Sequence, residues 1–62
     1  MIRRYSAKSK DELLLMIWID RNQDFPVSFV EELVELMTAA GLDIISQIDR
    51  LTVYATLWRS EQ

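Results

Sequence analysis

Residues 28–41 constrain the fold of this chain more than any other stretch, because they are marked as a helix at both ends. Ser28 and Glu31 have the spacing of a capping box, in which two side chains satisfy the unpaired amides at a helix start. Gly41 closes the stretch, and glycine is the usual residue in the left-handed turn that follows a helix. We therefore predict a helix over residues 28–40.

A continuous apolar run precedes this helix. Residues 13–19 have the length of a buried strand, although periodicity alone does not separate such a strand from a buried helix. Ser9 and Glu12 form a second capping-box pattern ahead of the run, which favours a helix. The end of the run, Ile17 to Ile19, is rich in β-branched and aromatic residues, which favour strands. We predict a strand at residues 13–19.

The chain after Gly41 also has two interpretations. Residues 51–58 alternate between two faces, as a half-buried strand does, and residues 43–48 supply an apolar run before them. Since β-branched and aromatic residues prefer strands, we predict strands at 43–48 and 51–58. The alternative is one long helix, with apolar residues recurring every three or four positions: Ile44, Ile48, Leu51, Ala55 and Trp58.

These elements predict an α/β fold, a small βαββ unit in which one helix covers a sheet. A right-handed crossover would place strand 13–19 parallel to strand 43–48, and strand 51–58 would return antiparallel. The alternative is an all-α three-helix fold. In the sheet fold one apolar face stays uncovered, and an exposed apolar face of this size normally marks an interface.

We expect the uncovered sheet face to bind a protein partner or a second copy of the chain as a homodimer. Half of the 62 residues are hydrophobic, whereas a chain of this size has little interior in which to bury them. Aromatic residues dominate the binding energy of many interfaces, although they pack equally well in a small core. The candidate interface residues are Trp18, Tyr54, Trp58, Leu14 and Met16.

Charge is distributed unevenly along the chain. Residues 1–10 form a basic N-terminal arm with four basic and no acidic residues, and a short strand is conceivable at 2–6. Residues 11–62, which we predict to be a single small domain, carry three basic and ten acidic residues. Nucleic acid is therefore an unsuitable ligand except for the arm, because phosphate contacts need clustered lysine and arginine.

The composition argues against an enzyme. The chain has no histidine and no cysteine, which are common general bases and nucleophiles, so we expect no catalytic residue and no cofactor. No apolar run approaches the roughly 18 residues of a membrane span, and the N-terminus lacks the pattern of a signal peptide. We therefore expect a cytoplasmic protein that does not bind membranes.

The polar segment before the predicted helix approximates a calcium loop of the EF-hand type. Such a loop supplies oxygen ligands from fixed positions and needs glycine at the sixth position for a sharp turn. Here the sixth position is Phe25, and a bulky residue is poorly suited to that turn. A degenerate calcium site is thus an alternative function. Its ligand positions would be Asp20, Asn22, Asp24, Ser28 and Glu31.

Residues 12–50 resemble the start of the N-terminal domain of HflX-type GTPases. The matching segments are Glu31-Glu32-Leu33, Glu35-Leu36, Ala40-Gly41 and Asp43-Ile44-Ile45, with residues 13–20 in the place of the family's first strand. The glycine-rich segment that follows in the family and its phosphate-binding loop are missing here. The resemblance implies a strand–helix–strand fold and a ribosome-associated or regulatory binding role without GTP hydrolysis.

The leading functional hypothesis is therefore a non-catalytic protein-interaction or regulatory module. Calcium binding at the degenerate loop is one alternative. A second alternative is a small inhibitor of a host enzyme, of the type that phages and plasmids encode, because short acidic chains suit that role.

Overall fold

The computed structural model describes residues 6–62, which form three α-helices. Helix α1 spans Lys10–Arg21, α2 spans Val27–Ala39 and α3 spans Ile44–Ser60. No strand or sheet occurs within residues 6–62, 74% of which are helical. The fold is therefore all-α, the arrangement that the sequence admitted only as an alternative.

The predicted strands at 13–19, 43–48 and 51–58 are wrong, and the α/β fold with its uncovered sheet face is wrong with them. Residues 13–19 lie inside α1, and the two later segments belong to the single helix α3. The predicted helix at 28–40 corresponds to α2, with each end displaced by one residue.

Helix α1 forms because its start is capped. The backbone amide of Glu12 donates to the Ser9 hydroxyl oxygen at 3.2 Å. The acidic side chains of Asp11 and Glu12 lie in the first turn, where their negative charge interacts favourably with the helix dipole. Within the apolar run only Leu15 is buried. The cap and the good helix formers that follow it thus outweigh the strand preference of the end of the run.

The end of α2 is built on Gly41, as the sequence predicts. Gly41 has a φ of 85°, and its amide donates to the Thr38 carbonyl at 3.0 Å, while the amide of Leu42 donates to the Met37 carbonyl at 3.0 Å. These two hydrogen bonds define a Schellman motif.

The start of α2 differs from the prediction. The helix begins at Val27, directly after Pro26, and no side chain caps it. The capping box predicted at Ser28 and Glu31 is therefore wrong, because both residues already lie inside the helix. Proline can precede a helix without losing a hydrogen bond, since the first amides of a helix have no intrahelical partner.

Helix α3 begins at a cap that the sequence analysis did not identify. The backbone amide of Ser46 donates to Oδ1 of Asp43 at 2.8 Å. Hydrogen bonds from the Ser46 backbone, and secondarily from its side chain, lower the pKa of the Asp43 carboxyl from its ordinary value. The charged form of Asp43 is thus the form that stabilises the first turn of α3.

The hydrophobic core lies where α3 packs against both α1 and α2. The fold measures 35 × 34 × 17 Å, so it is flat, with one dimension half as long as the other two. Such a thin arrangement encloses few side chains. The buried apolar residues are Leu15, Phe25, Val30, Met37, Leu51 and Ala55.

Phe25, in the connection between α1 and α2, is the centre of an aromatic cluster. It is only 2% exposed, and its ring meets those of Trp18, Phe29 and Trp58 edge-on at centroid distances of 6.3, 5.8 and 6.1 Å. Edge-on aromatic pairs add a favourable electrostatic term to the burial of apolar surface. The connection between α1 and α2 is therefore part of the core.

The C-terminal end of α3 holds this connection in place. The indole N–H of Trp58 donates to the Asp24 carbonyl at 3.0 Å, and Nε of Arg59 donates to Oδ2 of Asp24 at 3.0 Å. The Arg59 guanidinium also donates to the side-chain oxygen of Asn22. These contacts hold the connection between α1 and α2 against the C-terminal end of α3.

Residues 1–5 of the basic arm lie outside the described residues, and so does the possible strand at 2–6 apart from Ser6. Lys8 is exposed, and Lys10 is the first residue of α1. Among the described helices, none has both the length and the apolar character that crossing a membrane requires.

Candidate interaction surface

A groove of about 420 Å³ runs between α2 and α3. We call it the α2–α3 groove. Its lining is apolar except for one arginine and one tyrosine hydroxyl, which is the composition typical of protein-binding clefts. The lining residues are Leu33, Leu36, Met37, Ala40, Leu42, Arg50 and Tyr54.

One side of the α2–α3 groove is an apolar edge of α2. Phe29, Leu33, Leu36 and Ala40 follow at spacings of four, three and four residues, so they share one side of the helix. Phe29 is 47% exposed and Leu36 is 67% exposed. These two residues widen the apolar stripe of α2 beyond what α1 and α3 cover, as the sequence pattern indicates.

The other side of the groove belongs to α3. Arg50, Tyr54 and Leu57 also follow at helical spacings, so they share one side of that helix. Leu57 and the neighbouring Val53 are each 57% exposed. Leu36 of α2 and Tyr54 of α3 are exposed and line the groove itself, so both helices present large apolar side chains to solvent there, which is typical of an interaction surface.

A basic residue lines the α2–α3 groove, and an acidic residue lies next to its edge on α2. Arg50 lines it from α3, and Glu32 lies three and four residues from Phe29 and Leu36, on the same side of α2. The ion pair described within residues 6–62 joins Arg59 and Asp24 elsewhere, and neither Arg50 nor Glu32 has a hydrogen-bonding or ionic partner among those residues.

A second groove, of about 350 Å³, lies between α1 and α3. We call it the α1–α3 groove. Beside this groove the indole N–H of Trp18 donates to the Thr52 hydroxyl at 2.9 Å, so its two helices are joined by a direct hydrogen bond. Its lining residues are Leu14, Ile17, Trp18, Arg21, Asn22, Ile45, Ile48 and Asp49.

The five predicted interface residues do not form one surface. Trp18 and Trp58 are half-buried in the aromatic cluster, and both indole N–H groups have partners within the chain. Leu14 lines the α1–α3 groove, Tyr54 lines the α2–α3 groove, and Met16 is half-buried in α1.

Sequence reasoning missed three members of the most exposed apolar surface. Leu36, Phe29 and Leu57 are not among the predicted interface residues, although Phe29 and Leu36 have helical spacing with Leu33 and Ala40 in the sequence. Leu57 lies within the predicted strand at 51–58, in which it and Tyr54 would be on opposite faces, so their place on one side of a helix was not apparent.

The predicted calcium ligands do not converge. Asp20 accepts a hydrogen bond from the Gln23 amide at 3.1 Å, and the side chains of Asn22 and Asp24 contact Arg59. The connection between α1 and α2 has only five residues, 22–26. Ser28 and Glu31 are exposed on α2.

The arrangement therefore gives calcium binding no support. Phe25, at the position where the calcium loop needs glycine, is a core residue rather than a turn residue. The part of the chain that the structure describes contains no group of three or more acidic side chains placed to hold a metal ion.

Comparisons with protein-family models, with curated protein sequences and with solved structures give no significant match to this chain.

Proposed function

We propose that this chain is a non-catalytic protein-interaction module that binds its partner through the α2–α3 groove. The observation that carries the proposal is the alignment of exposed apolar side chains along this groove, with Leu36 at 67% exposure. Full burial of a leucine or phenylalanine side chain stabilises a complex by about 1.5–3 kcal/mol. Burial of several such side chains would supply a useful binding energy.

The shape of the groove supports the proposal as well. Its floor consists of side chains that also belong to the core or pack against it, such as Met37, Leu42 and Leu33. A floor that is fixed by the core is preformed, and a preformed surface loses less conformational entropy on binding.

The helical groove replaces the sheet face that the sequence predicts as the binding surface. A ribosome-associated role rests on the resemblance to HflX-type GTPases alone, and the strands that this resemblance implies are absent from residues 6–62. Inhibition of a host enzyme likewise remains a hypothesis from the sequence. Neither role is part of this proposal. We do propose a cytoplasmic location, which fractionation of the source cells tests.

Site-specific photo-crosslinking tests the proposed function. A photoreactive benzoylphenylalanine replaces Leu36 in the full chain, and the matched control carries the same group in place of Glu31, which is exposed on the same helix. Each protein is irradiated in a lysate of the source cells, and the adducts are identified by mass spectrometry.

We expect a discrete protein adduct at position 36 and only background at position 31, because only position 36 lies in the α2–α3 groove. Equal labelling at the two positions, or no adduct at position 36, would show that this groove is not a protein-binding surface. An adduct with a second copy and an adduct with a different protein both support the proposed function.

A further inference from the structure

We propose that the occupant of the α2–α3 groove is the same groove of a second copy of this chain, in a two-fold symmetric dimer. The inference rests on the proposed function of the groove and specifies its partner. In such a dimer the same patch on both copies must be complementary to itself. The shape of the apolar surface and the charges at the groove both satisfy this requirement.

The shape of the apolar surface is self-complementary because the groove contains both a projecting side chain and a recess. Leu36 projects into solvent with two thirds of its surface exposed. The adjacent recess is lined by Met37 and Leu42, which pack in or against the core. A two-fold axis would let Leu36 of each copy enter the recess of the other, so both projections would be buried together.

The charges can pair reciprocally because a base lines the groove and an acid lies next to its edge. Arg50 lines the groove from α3, and Glu32 is exposed on α2, one turn before Leu36 and on the same side of the helix. Neither has a described partner within residues 6–62. Two-fold symmetry would place Arg50 of each copy near Glu32 of the other, which forms two reciprocal ion pairs. A uniformly basic or uniformly acidic partner would be repelled by one of these two groups.

The other acids of α2 do not disturb this pairing. A rotation of about 100° per residue places Glu35 about 100° and Glu31 about 140° around α2 from Leu36, whereas Glu32 is only about 40° from it. The acidic surface of α2 would thus remain in solvent, where it opposes non-specific aggregation of further copies.

A stable dimer would cover a sizeable part of the surface of this chain. A specific interface buries about 800 Å² per partner, which is about a sixth of the 4926 Å² that the chain exposes. Leu36 and Tyr54 are exposed apolar residues that line the groove, and the exposed Phe29 and Leu57 follow on the same sides of α2 and α3. A chain of 62 residues also has a small core, and association is a common way for such chains to bury more apolar surface.

Sedimentation velocity of the purified full chain, from micromolar to millimolar concentration, tests the inference. We expect the wild type to sediment as a dimer at the upper concentrations and Leu36→Glu to sediment as a monomer, because a carboxylate would be buried in the recess. Leu14→Glu is the matched control, since Leu14 is 40% exposed and lines the α1–α3 groove instead. Circular dichroism establishes that each variant is helical.

A charge exchange identifies the reciprocal pairs. Glu32→Arg alone and Arg50→Glu alone should each weaken the dimer by on the order of tenfold, since each reversal replaces attractions by repulsions. An equimolar mixture of the two variants should form a heterodimer of nearly wild-type affinity, because both pairs then have opposite charges again. Glu31→Arg should leave the affinity unchanged.

Three results would overturn the inference: a wild type that is monomeric throughout, dissociation by Leu14→Glu but not by Leu36→Glu, or a mixture that binds no better than its components. The proposed function can survive this outcome. A monomeric wild type whose position 36 still crosslinks to a different protein would retain the interaction module and exclude self-association.

Discussion

Gln47 is a buried polar side chain that links α3 to the end of α2. It is 1% exposed, and its Nε2 donates to the Leu42 carbonyl at 2.9 Å and to the Thr38 hydroxyl at 3.2 Å. Its Oε1 has no partner within residues 6–62. Because the side chain must donate to a carbonyl, an amide suits this position and a carboxylate does not.

We expect Gln47→Glu to lower the free energy of unfolding at pH 7 by about 2–4 kcal/mol, since a buried carboxylate loses both donated hydrogen bonds. Burial raises the pKa of such a carboxyl above its unfolded value, so the loss should be small near pH 4 and grow as the pH rises toward 7. Urea denaturation of the variant and the wild type at each pH measures the difference.

Gln47→Met is the matched control, because it has a similar volume and no titrating group. It should destabilise the protein by an amount that does not change between pH 4 and pH 7. A pH-independent loss for Gln47→Glu would show that Gln47 is not buried as described.

The cap at Asp43 gives the opposite pH dependence. The lowered pKa of Asp43 means that its contribution is fully present above the unfolded value of 3.8 and is lost as the pH falls through the lower folded pKa. We expect Asp43→Ala to destabilise the protein at pH 7 and the difference from the wild type to shrink below pH 3.8. Thermal unfolding at a series of pH values measures both effects.

Asp49→Ala provides the comparison for this cap. Asp49 is an exposed acid of the same helix and does not cap it, so its replacement should change the melting temperature little. Equal destabilisation by the two substitutions would contradict the role of Asp43.

At the scale of the elements, the contact between Trp18 and Thr52 fixes α1 on α3. The indole N–H donates to the Thr52 hydroxyl at 2.9 Å, and that hydroxyl in turn donates to the Ile48 carbonyl at 2.9 Å. We expect Thr52→Val, which keeps the side-chain shape, to lower the free energy of unfolding by about 1 kcal/mol, because the indole loses its acceptor. Urea denaturation followed by tryptophan fluorescence measures the change.

Thr56→Val is the control for the hydrogen bond between Trp18 and Thr52. The Thr56 hydroxyl donates to the Thr52 carbonyl at 2.8 Å within α3 and has no described contact with another helix, so its replacement should have little effect. If the two substitutions prove equivalent, the hydrogen bond between α1 and α3 contributes nothing to stability.

These two threonines also show why α3 was predicted as strands. β-Branched residues lower helix propensity in general, but here both hydroxyls bond to the carbonyl four residues earlier in the same helix. Propensity is a weak guide when tertiary packing decides, and the buried stripe of Gln47, Leu51 and Ala55 has helical spacing. A strand would have placed Leu51 and Ala55 beside Val53, which is exposed.

Helix α2 was predictable because a local signal marked its end. Gly41 stops it through a backbone conformation that depends on few other residues. The start of α1 carries a comparable signal in Ser9 and Glu12, but the apolar run that follows has the length of a strand and therefore led to the wrong prediction. Asp43 with Ser46 was a third capping signal, and recognition of it would have favoured the long helix.

The binding surface was less predictable than the helices. The sequence shows that Phe29 and Leu36 extend the apolar stripe of α2. The residues of α3 that lie opposite them depend on how the two helices pack. Phe25 shows that the position of a core residue can also depend on tertiary packing. It stands in a polar segment, and only the tertiary structure shows that it fills the core.

At the scale of the whole molecule, the thin fold determines how stability and assembly are related. A 17 Å thickness leaves each helix with one side in solvent, so a small core must stabilise the monomer. Binding to the folded state alone raises stability by mass action. If the dimer forms through the α2–α3 groove, the stability of the chain therefore depends on its own concentration.

We expect the melting temperature of the wild type to rise steadily with protein concentration, because the dissociated, unfolded chains are favoured by dilution. The melting temperature of Leu36→Glu should not change with concentration, since this variant lacks the apolar contact of the groove, whereas that of Leu14→Glu should rise as in the wild type. Differential scanning calorimetry over a hundredfold range of concentration measures the three slopes. Identical, flat slopes for all three proteins would mean that the monomer alone accounts for the stability of this fold.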